Sequence, residues 1–407
     1  MDFEKTVTLT DSGAILKIRG WRKTVLSLQH FIAMFGATVL VPLLTGLDPL
    51  VSLFTAGIGT LIFHFVTGFS VPVFLGSSFA FIAPILLVKE QFGDLSYATG
   101  GIVIAGLVYL LFSVLVKAIG LEKVNKVFPP VVTGPMIMVI GLTLSPVAID
   151  MASKNWTVSL IVLATVIIFS TFFKGFFRMI PVLMGVVVGY LISAAMGIVD
   201  LTVVKESPIV SLPGFMLPKF DWKAISLVAP VAIATFMEHI GDITTNGAVV
   251  GKNFIENPGL HRTLIGDGLA TAVAGLLGGP ANTTYSENTG VLALTRVYDP
   301  SVLRGAAIIA IILAFFSKFG AILRTIPTPV IGGVSLVLFG MIASVGVRTM
   351  VNAKVNFSKS KNLLVASLIL TIGVGGAVLK VGNIAFKGVG LAALIGIIAN
   401  LVIPDKN

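Results

Sequence analysis

The sequence has no cysteine and little charge. Because none of its 407 residues is cysteine, disulfides, thiolate metal sites and cysteine catalysis are excluded. Only 11% of the residues are charged and 56% are hydrophobic, whereas a typical soluble domain has about 25% charged residues. Water is therefore not the solvent for most of this chain, and the composition predicts a protein embedded in a lipid bilayer.

The net charge of +10 is not concentrated in one basic patch. The lysines and arginines are scattered between apolar segments, which is typical of helix ends that meet lipid headgroups and argues against a nucleic-acid partner. Residues 1–24 are polar and basic and contain no apolar stretch with a cleavage site. We therefore expect a cytoplasmic N-terminal segment there and not a cleavable signal peptide.

Fourteen apolar segments follow one another with short polar breaks, each near the length of about 20 residues that spans a bilayer. If all fourteen cross the membrane, most of the 28 Lys and Arg residues lie on the same side of the membrane as the N-terminus. The positive-inside rule then predicts a multi-pass protein of the cytoplasmic (inner) membrane with both termini cytoplasmic. The predicted segments are 25–44, 51–68, 71–88, 99–117, 128–147, 157–173, 181–197, 226–246, 263–278, 281–296, 303–318, 327–346, 362–379 and 388–403.

The two halves of the chain resemble each other. The run at 55–59 is echoed by 264–268, and at the same spacing 76–79 is echoed by 285–288. Since each half has seven segments, an odd number, the second must cross in the opposite sense, as in transporters with inverted repeats. The predicted units are the segment 1–24, a first repeat at 25–199, an extracytoplasmic loop at 200–225, a second repeat at 226–403 and a cytoplasmic tail at 404–407.

Segments 3 and 10 are predicted to be discontinuous. Residues 71–78 and 280–286 are rich in proline, glycine, β-branched and hydroxyl residues, which favours extended backbone. Extended backbone at membrane depth must be covered by protein or line a cavity. We expect the two stretches to pair and each to lead into a half-helix whose free N–H groups face the cavity.

Two intramembrane carboxylates are the strongest functional candidates. Glu238 follows twelve apolar or small residues, which places it about 18 Å along its helix, near the midplane. An ionisable group at this depth indicates a functional site. Asp242 lies one turn further on the same helical face. Glu287 opens the half-helix of segment 10, and crowding of these acids suits a carrier that takes up a proton. The alternative for each is a structural cap or a helix-dipole interaction.

Other polar and aromatic residues give weaker signals. His30, in the first segment, either packs against the carboxylate-bearing helices or bonds a backbone carbonyl. Asp267, between two glycines, is interpreted as a helix cap. Phe79 opens the first half-helix, where its ring either packs or stacks on a flat ligand. The glycines at 373–376 are interpreted as helix packing. With no metal-ligand set and no nucleophile–base pair in the sequence, we predict no metal, no cofactor and no enzyme.

The run ENTGVLALTR at 287–296 resembles the signature of the nucleobase–ascorbate transporter (nucleobase:cation symporter-2) family. That signature is Gln, Glu or Pro, then Asn, any residue, Gly, four residues, Thr, and Lys or Arg. The runs SLQH at 27–30 and LGSSFAFIAP at 75–84 extend the resemblance over nearly the whole chain. Glutamate at the first signature position is similar to the bacterial uracil permeases, whereas xanthine and urate carriers usually have Gln there.

The resemblance implies proton-coupled uptake of uracil by alternating access. It implies a core domain (segments 1–4 and 8–11) and a gate domain (segments 5–7 and 12–14), with the substrate between them. Proteins of this fold are often homodimers. It also implies residue roles. Substrate contacts are expected at Phe79, Glu238, Ser286, Glu287, Ser335 and Phe339, proton coupling at Glu238, Asp242 and Glu287, and support from His30 and Asn288. Ser286 replaces a common Gly, and Asp242 stands where a close relative has His.

Two other functions stay open on the sequence. The first is a carrier of xanthine or another nucleobase. The second is an anion transporter of the same fold, although an anion would call for a positive site where this chain offers acids. Uracil suits the residues: it is neutral and planar, and its two N–H donors and two carbonyl acceptors match carboxylates and half-helix N–H groups.

Overall fold

The computed structural model describes residues 20–381 and 384–404, so most of the predicted segments 1–24 and 404–407 lies outside it. In chain order the helices are α1 (Trp21–Thr45), α2 (Pro49–Val66), α3 (Ile82–Phe92), α4 (Ser96–Ile119), α5 (Leu121–Val127), α6 (Pro130–Ser153), α7 (Trp156–Thr171), α8 (Pro181–Ala195), α9 (Thr202–Glu206), α10 (Trp222–Val228), α11 (Val231–Val250), α12 (Leu260–Leu276), α13 (Ser286–Thr295), α14 (Pro300–Leu313), α15 (Ser317–Arg324), α16 (Thr328–Asn352), α17 (Ser360–Val374) and α18 (Gly388–Val402). The strands are β1 (Leu75–Ser77), β2 (Asn282–Thr284), β3 (Val378–Val381) and β4 (Ile384–Lys387).

Every predicted segment contains a helix, so the chain is a polytopic helical protein. Within the described residues, six helices are long and apolar enough to cross a membrane alone, or up to seven if the bent pair α14 and α15 is one span. Fourteen crossings therefore stay a prediction. The expected segment 303–318 is too long, because α14 ends at Leu313 and α15 runs at 86° to it.

The predicted segment 362–379 is also too long. Helix α17 ends at Val374, and Gly376 has a left-handed backbone (φ 68°) that stops the helix. The chain then forms the β3–β4 hairpin, which the sequence reading missed. Within the 373–376 run, only Gly373 fits the expected packing role, since a Cβ there would lie 2.5 Å from Val139 of α6.

The two predicted extended stretches do pair. Strands β1 and β2 are antiparallel, with Leu75 opposite Thr284 and Ser77 opposite Asn282. Two further backbone bonds extend the ladder, from Ser78 N to Ala281 O (2.8 Å) and from Tyr285 N to Phe74 O (2.9 Å). All six strand residues are buried. Their polar backbone is thus satisfied by each other, as membrane-embedded backbone requires.

The helix pairs follow a pattern that supports the predicted inverted repeat. Helix α4 packs on α12, α2 packs on α14, and α6 packs on α16. If each segment is replaced by its counterpart in the other half, the α4–α12 pair becomes the α14–α2 pair. The α6–α16 pair stays the same pair. Glycines permit these close approaches: Gly106 of α4 meets Gly268 of α12, and Gly134 of α6 meets Gly346 of α16.

The helices also fall into two groups. Helices α1, α2, α4, α11, α12, α13 and α14 pack among themselves, as do α6, α7, α8, α16, α17 and α18. Fewer pairings join the groups, chiefly α1 with α8 and α11 with α6 and α18. This grouping matches the expected division into core and gate, which stays a prediction.

Candidate functional site

The site is built where β1, β2 and α11 meet. Residues 79–81 form a 3₁₀ turn after β1 that leads into α3, and α13 starts directly after β2. Because the strands are antiparallel, the two helical segments leave opposite ends of the short ladder and run in opposite directions. Ser78 and Tyr285, which precede the two helical starts, provide no side-chain cap. The first N–H groups of both half-helices are therefore available to a ligand oxygen.

Glu287 lies in the first turn of α13 and is half-buried, while Ser286 before it is exposed. Exposed Ser286 leaves the α13 N-terminus open to a small ligand. At this position the side chain need not contribute, since the backbone N–H groups point along the helix axis. The replacement of glycine by serine is thus compatible with the site.

Glu238 and Asp242 lie one turn apart on α11, and both are half-buried. Thr284 Oγ1 of β2 donates to Asp242 Oδ2 at 2.8 Å, which fixes that carboxylate. Helix α11 packs on α13, so Glu238 and Asp242 lie on an element that contacts the one that carries Glu287. Like charges held close together repel one another, and a proton bound to one of the acids would reduce that repulsion.

His30 contacts the signature asparagine. Asn288 Nδ2 donates to the backbone oxygen of His30 at 3.0 Å and lies 3.1 Å from its Nδ1. Both side chains are completely buried. Of the two expectations for His30, the structure supports packing against a carboxylate-bearing helix, because Asn288 follows Glu287 in α13. The pair ties α1 to the half-helix.

The aromatic and gate-side candidates lie in or next to buried parts of the protein. Phe79 is half-buried and packs on the same hydrophobic cluster that contains Phe339 of α16. Ser335, one turn earlier on α16, is also completely buried. Phe79 and Phe339 thus belong to the same large cluster, and Ser335 and Phe339 lie on α16 of the other group of helices; their contact with a substrate stays a prediction.

The interpretation of Asp267 as a cap is wrong. Helix α12 begins at Leu260, so Asp267 lies in its interior, and it is completely buried. Its Oδ2 lies 3.2 Å from Nδ1 of His239, the neighbour of Glu238, and His239 Nε2 bonds Thr263 Oγ1 at 2.9 Å. Because an acid is rare within an apolar segment, Asp267 itself was the sequence signal that could have pointed to this pair.

Asn246 is a second residue that the sequence reading missed. It lies on α11 two turns after Glu238 and is completely buried. Its Nδ2 donates to Pro72 O at 3.0 Å and to Thr289 Oγ1 at 3.1 Å. The spacing of four residues from Glu238 to Asp242 to Asn246 was visible in the sequence and places all three on neighbouring sides of the helix.

Access to the site differs along α11. Before Glu238, Ala234 and Thr235 are buried, whereas after it Gly241, Thr245 and Ala248 are exposed. The C-terminal half of α11 is therefore the more exposed half. By the predicted topology, this is the cytoplasmic side.

Comparison with known proteins agrees with the motif. The Permease family profile matches residues 22–382. The uracil permease of Bacillus caldolyticus is 47% identical over 397 residues, covering 94% of this chain and 92% of that protein. The uracil permease of Escherichia coli K12 is 43% identical, covering 93% and 90%. A putative pyrimidine permease of the same organism, RutG, is 38% identical, covering 98% and 94%.

Solved structures with this fold share little sequence with the chain. The transmembrane domain of the cyanobacterial bicarbonate transporter BicA aligns with a TM-score of 0.64 at 16% identity, covering 95% of this chain and 99% of that one. The murine anion transporter Slc26a9 in its inward-facing state aligns with a TM-score of 0.71 at 11% identity, covering 95% and 69%. These likenesses concern the fold alone.

Proposed function

The chain belongs to the nucleobase–ascorbate transporter family, and from this premise we propose that it is a uracil permease that takes up uracil together with protons. The single observation that carries the proposal is the packing of α11, which carries Glu238 and Asp242, against the uncapped start of α13, which carries Glu287. The full-length similarity to several uracil permeases supports the choice of substrate.

The chemistry of uracil matches this arrangement. Its two N–H groups require acceptors, which Glu238 and Glu287 supply, and its two carbonyl oxygens require donors, which the free N–H groups after Ser78 and Tyr285 supply. The ring is flat, and Phe79 offers an aromatic face beside the same strands. Ser335 and Phe339 close the site from the gate side.

Proton coupling follows from crowding of the acids. Carboxylates placed on contacting elements repel one another when all are ionised, so the group can take up a proton more readily than an isolated carboxylate. Asp242 already accepts a hydrogen bond from Thr284. The proton is therefore held at Glu238 with Asp242 one turn away, and its arrival prepares Glu238 and Glu287 to share one ligand.

Transport proceeds by movement of the core against the gate. The two groups of helices support alternating access, and the charge asymmetry of the loops supports cytoplasmic termini. Fourteen crossings of the inner membrane and assembly as a homodimer belong to the same proposal.

Two alternatives have some support. A wider pyrimidine range is consistent with the 38% identity to a putative pyrimidine permease, and transport of xanthine, a purine, is the alternative within the same family. An anion transporter is consistent with the fold of BicA and Slc26a9. The three acids count against an anion, because each would repel it.

Uptake by purified protein in proteoliposomes distinguishes these functions. We expect labelled uracil to accumulate when the outside is more acidic than the lumen, and accumulation to stop when an uncoupler collapses the gradient. Unlabelled uracil should compete, whereas xanthine and bicarbonate should not. Competition by xanthine alone would favour a purine carrier, and accumulation undiminished by uncoupler would contradict proton symport.

A further inference from the structure

Asn246 joins three parts of the site through one side-chain nitrogen. Its own helix, α11, carries Glu238 and Asp242. One of its bonds reaches Pro72, three residues before β1, and the other reaches Thr289, two residues after Glu287 in α13. Asn246 is thus a single anchor for α11, for α13 and for the chain segment that leads to Phe79.

The anchor does not itself reach a ligand held at Glu238. Eight residues of helix separate Asn246 from Glu238, which is about 12 Å along the axis. Asn246 is also completely buried. Its effect on binding must therefore pass through the positions of the neighbouring elements.

The geometry requires an amide at this position. The carbonyl of Pro72 can only accept a hydrogen bond, so the atom facing it must be a donor. An ionised aspartate of almost the same shape has no donor and would place an oxygen against that carbonyl. Alanine would leave Pro72 O and the Thr289 hydroxyl buried without this partner.

We propose that Asn246 is a positioning residue that sets the separation of Glu238 and Glu287, and thereby the selection of a ring with two N–H groups. This inference rests on the proposed function. If the anchor is lost, α13 and the chain before β1 can shift relative to α11. The two carboxylates then no longer match both donors of uracil at once.

Binding of uracil and of its N-methylated forms to the purified protein tests the proposal. The variants are Asn246→Ala, the nearly isosteric Asn246→Asp, and Thr289→Val, which removes one of the two partners. Asn400→Ala is the matched control, because Asn400 Nδ2 also donates to a backbone carbonyl, Lys126 O at 3.0 Å, but lies in α18 of the gate group. Each protein is titrated with uracil, 1-methyluracil and 3-methyluracil, of which the last two lack one N–H.

We expect the Asn246 variants to bind uracil about tenfold more weakly and to lose most of the discrimination against the methylated rings. The effects of Asn246→Ala and Thr289→Val should not be additive, because they break the same bond. A ratio of affinities does not depend on the folded fraction, so partial misfolding cannot mimic this result. Asn400→Ala should keep the wild-type ratios.

Both Asn246 variants could keep the wild-type ratios of affinity for uracil and the methylated rings and differ only in having less binding-competent protein. That result would show that Asn246 has only a structural role, and it would overturn the proposal. Wild-type protein that binds no uracil would instead overturn the proposed function, and with it this inference.

Discussion

At the scale of single residues, the two glutamates have different surroundings. Glu287 sits at an open half-helix N-terminus, whereas Glu238 lies on a longer helix next to Asp242 and beside the buried His239–Asp267 pair. We therefore assign ring recognition chiefly to Glu287 and coupling to the proton chiefly to Glu238. These roles can be separated by neutral substitutions of the same size.

Glu238→Gln should stop concentrative uptake or uncouple it from the proton gradient, because glutamine cannot take up and release the proton. Glu287→Gln should first weaken uracil binding by about tenfold, the value of a hydrogen bond to a charged group, and alter the choice of base. Gradient-driven uptake and equilibrium binding, measured on both variants, check this. If Glu287→Gln uncouples transport while Glu238→Gln only changes base selection, the assignment is reversed.

The His239–Asp267 pair gives a prediction on stability. Asp267 Oδ2 lies 3.2 Å from His239 Nδ1 and both side chains are completely buried, so Asp267→Ala leaves the buried imidazole without this polar neighbour. A lost polar contact of this kind costs about 1–3 kcal/mol, and the variant should therefore have a lower thermal unfolding temperature in detergent. Asp150→Ala is the control, because Asp150 pairs with Lys154 on an exposed helix surface. An equal, small effect for both variants would show that the buried pair adds nothing to folding.

At the scale of elements, the site depends on how closely β1 approaches its neighbours. A Cβ on Gly76 would lie 2.5 Å from the ring of Tyr285 and 2.6 Å from Thr38 Oγ1. Overpacking of this kind costs about 1–3 kcal/mol, so Gly76→Ala should displace β1 and reduce both stability and uracil affinity. Gly340→Ala, where a Cβ meets no atom within 4 Å, is the control. Identical affinity and melting temperature in the two variants would contradict the tight packing of β1.

The loop before α10 is tied to the core helices outside the membrane-spanning segments. Lys219 N bonds Ser96 O, and Lys219 Nζ pairs with Asp94 at 2.9 Å. The hydrogen bond from Ser96 N, followed by that from Lys219, lowers the pKa of Asp94 to about 2. A carboxyl whose pKa is lower in the folded protein stabilises the fold at pH values above its pKa in the unfolded chain. This stabilisation is lost only as the pH falls toward 2. The contact between Asp94 and Lys219 therefore does not change near neutrality. Asp94→Asn should leave the shape of the uptake profile between about pH 5 and 8 unchanged; a changed profile would place Asp94 in the coupling.

The sequence predicted the positions of most helices and of the β1–β2 pair well. It predicted less well the residues at which helices end and the residues that buried side chains contact. Apolar length and the Pro, Gly and hydroxyl content located the helices and the β1–β2 pairing, because bilayer thickness and backbone satisfaction are strong constraints. The β3–β4 hairpin was missed because Val378 and its neighbours continue an apolar run that fits a span. Asp267 and Asn246 were misread or missed because their partners, His239 and Pro72, are distant in sequence.

At the scale of the whole molecule, the helices form two groups that pack mainly among themselves. The carboxylates lie on α11 and α13 of one group, and we propose that Ser335 and Phe339 of the other group meet the substrate. A relative movement of the two groups would then change which side of the membrane reaches Glu238. Proteins named as bicarbonate and anion transporters share this fold, and a fold by itself does not determine the substrate. We propose that the acids on α11 and α13 determine it in this chain.

Proton movement driven by a uracil gradient tests the central claim most directly. With wild-type protein in proteoliposomes that enclose a pH-sensitive dye, addition of external uracil should acidify the lumen, because each uracil enters with a proton. The Glu238→Gln variant should bind uracil and show no acidification. Entry of labelled uracil by the wild type without any change in lumen pH would contradict the account.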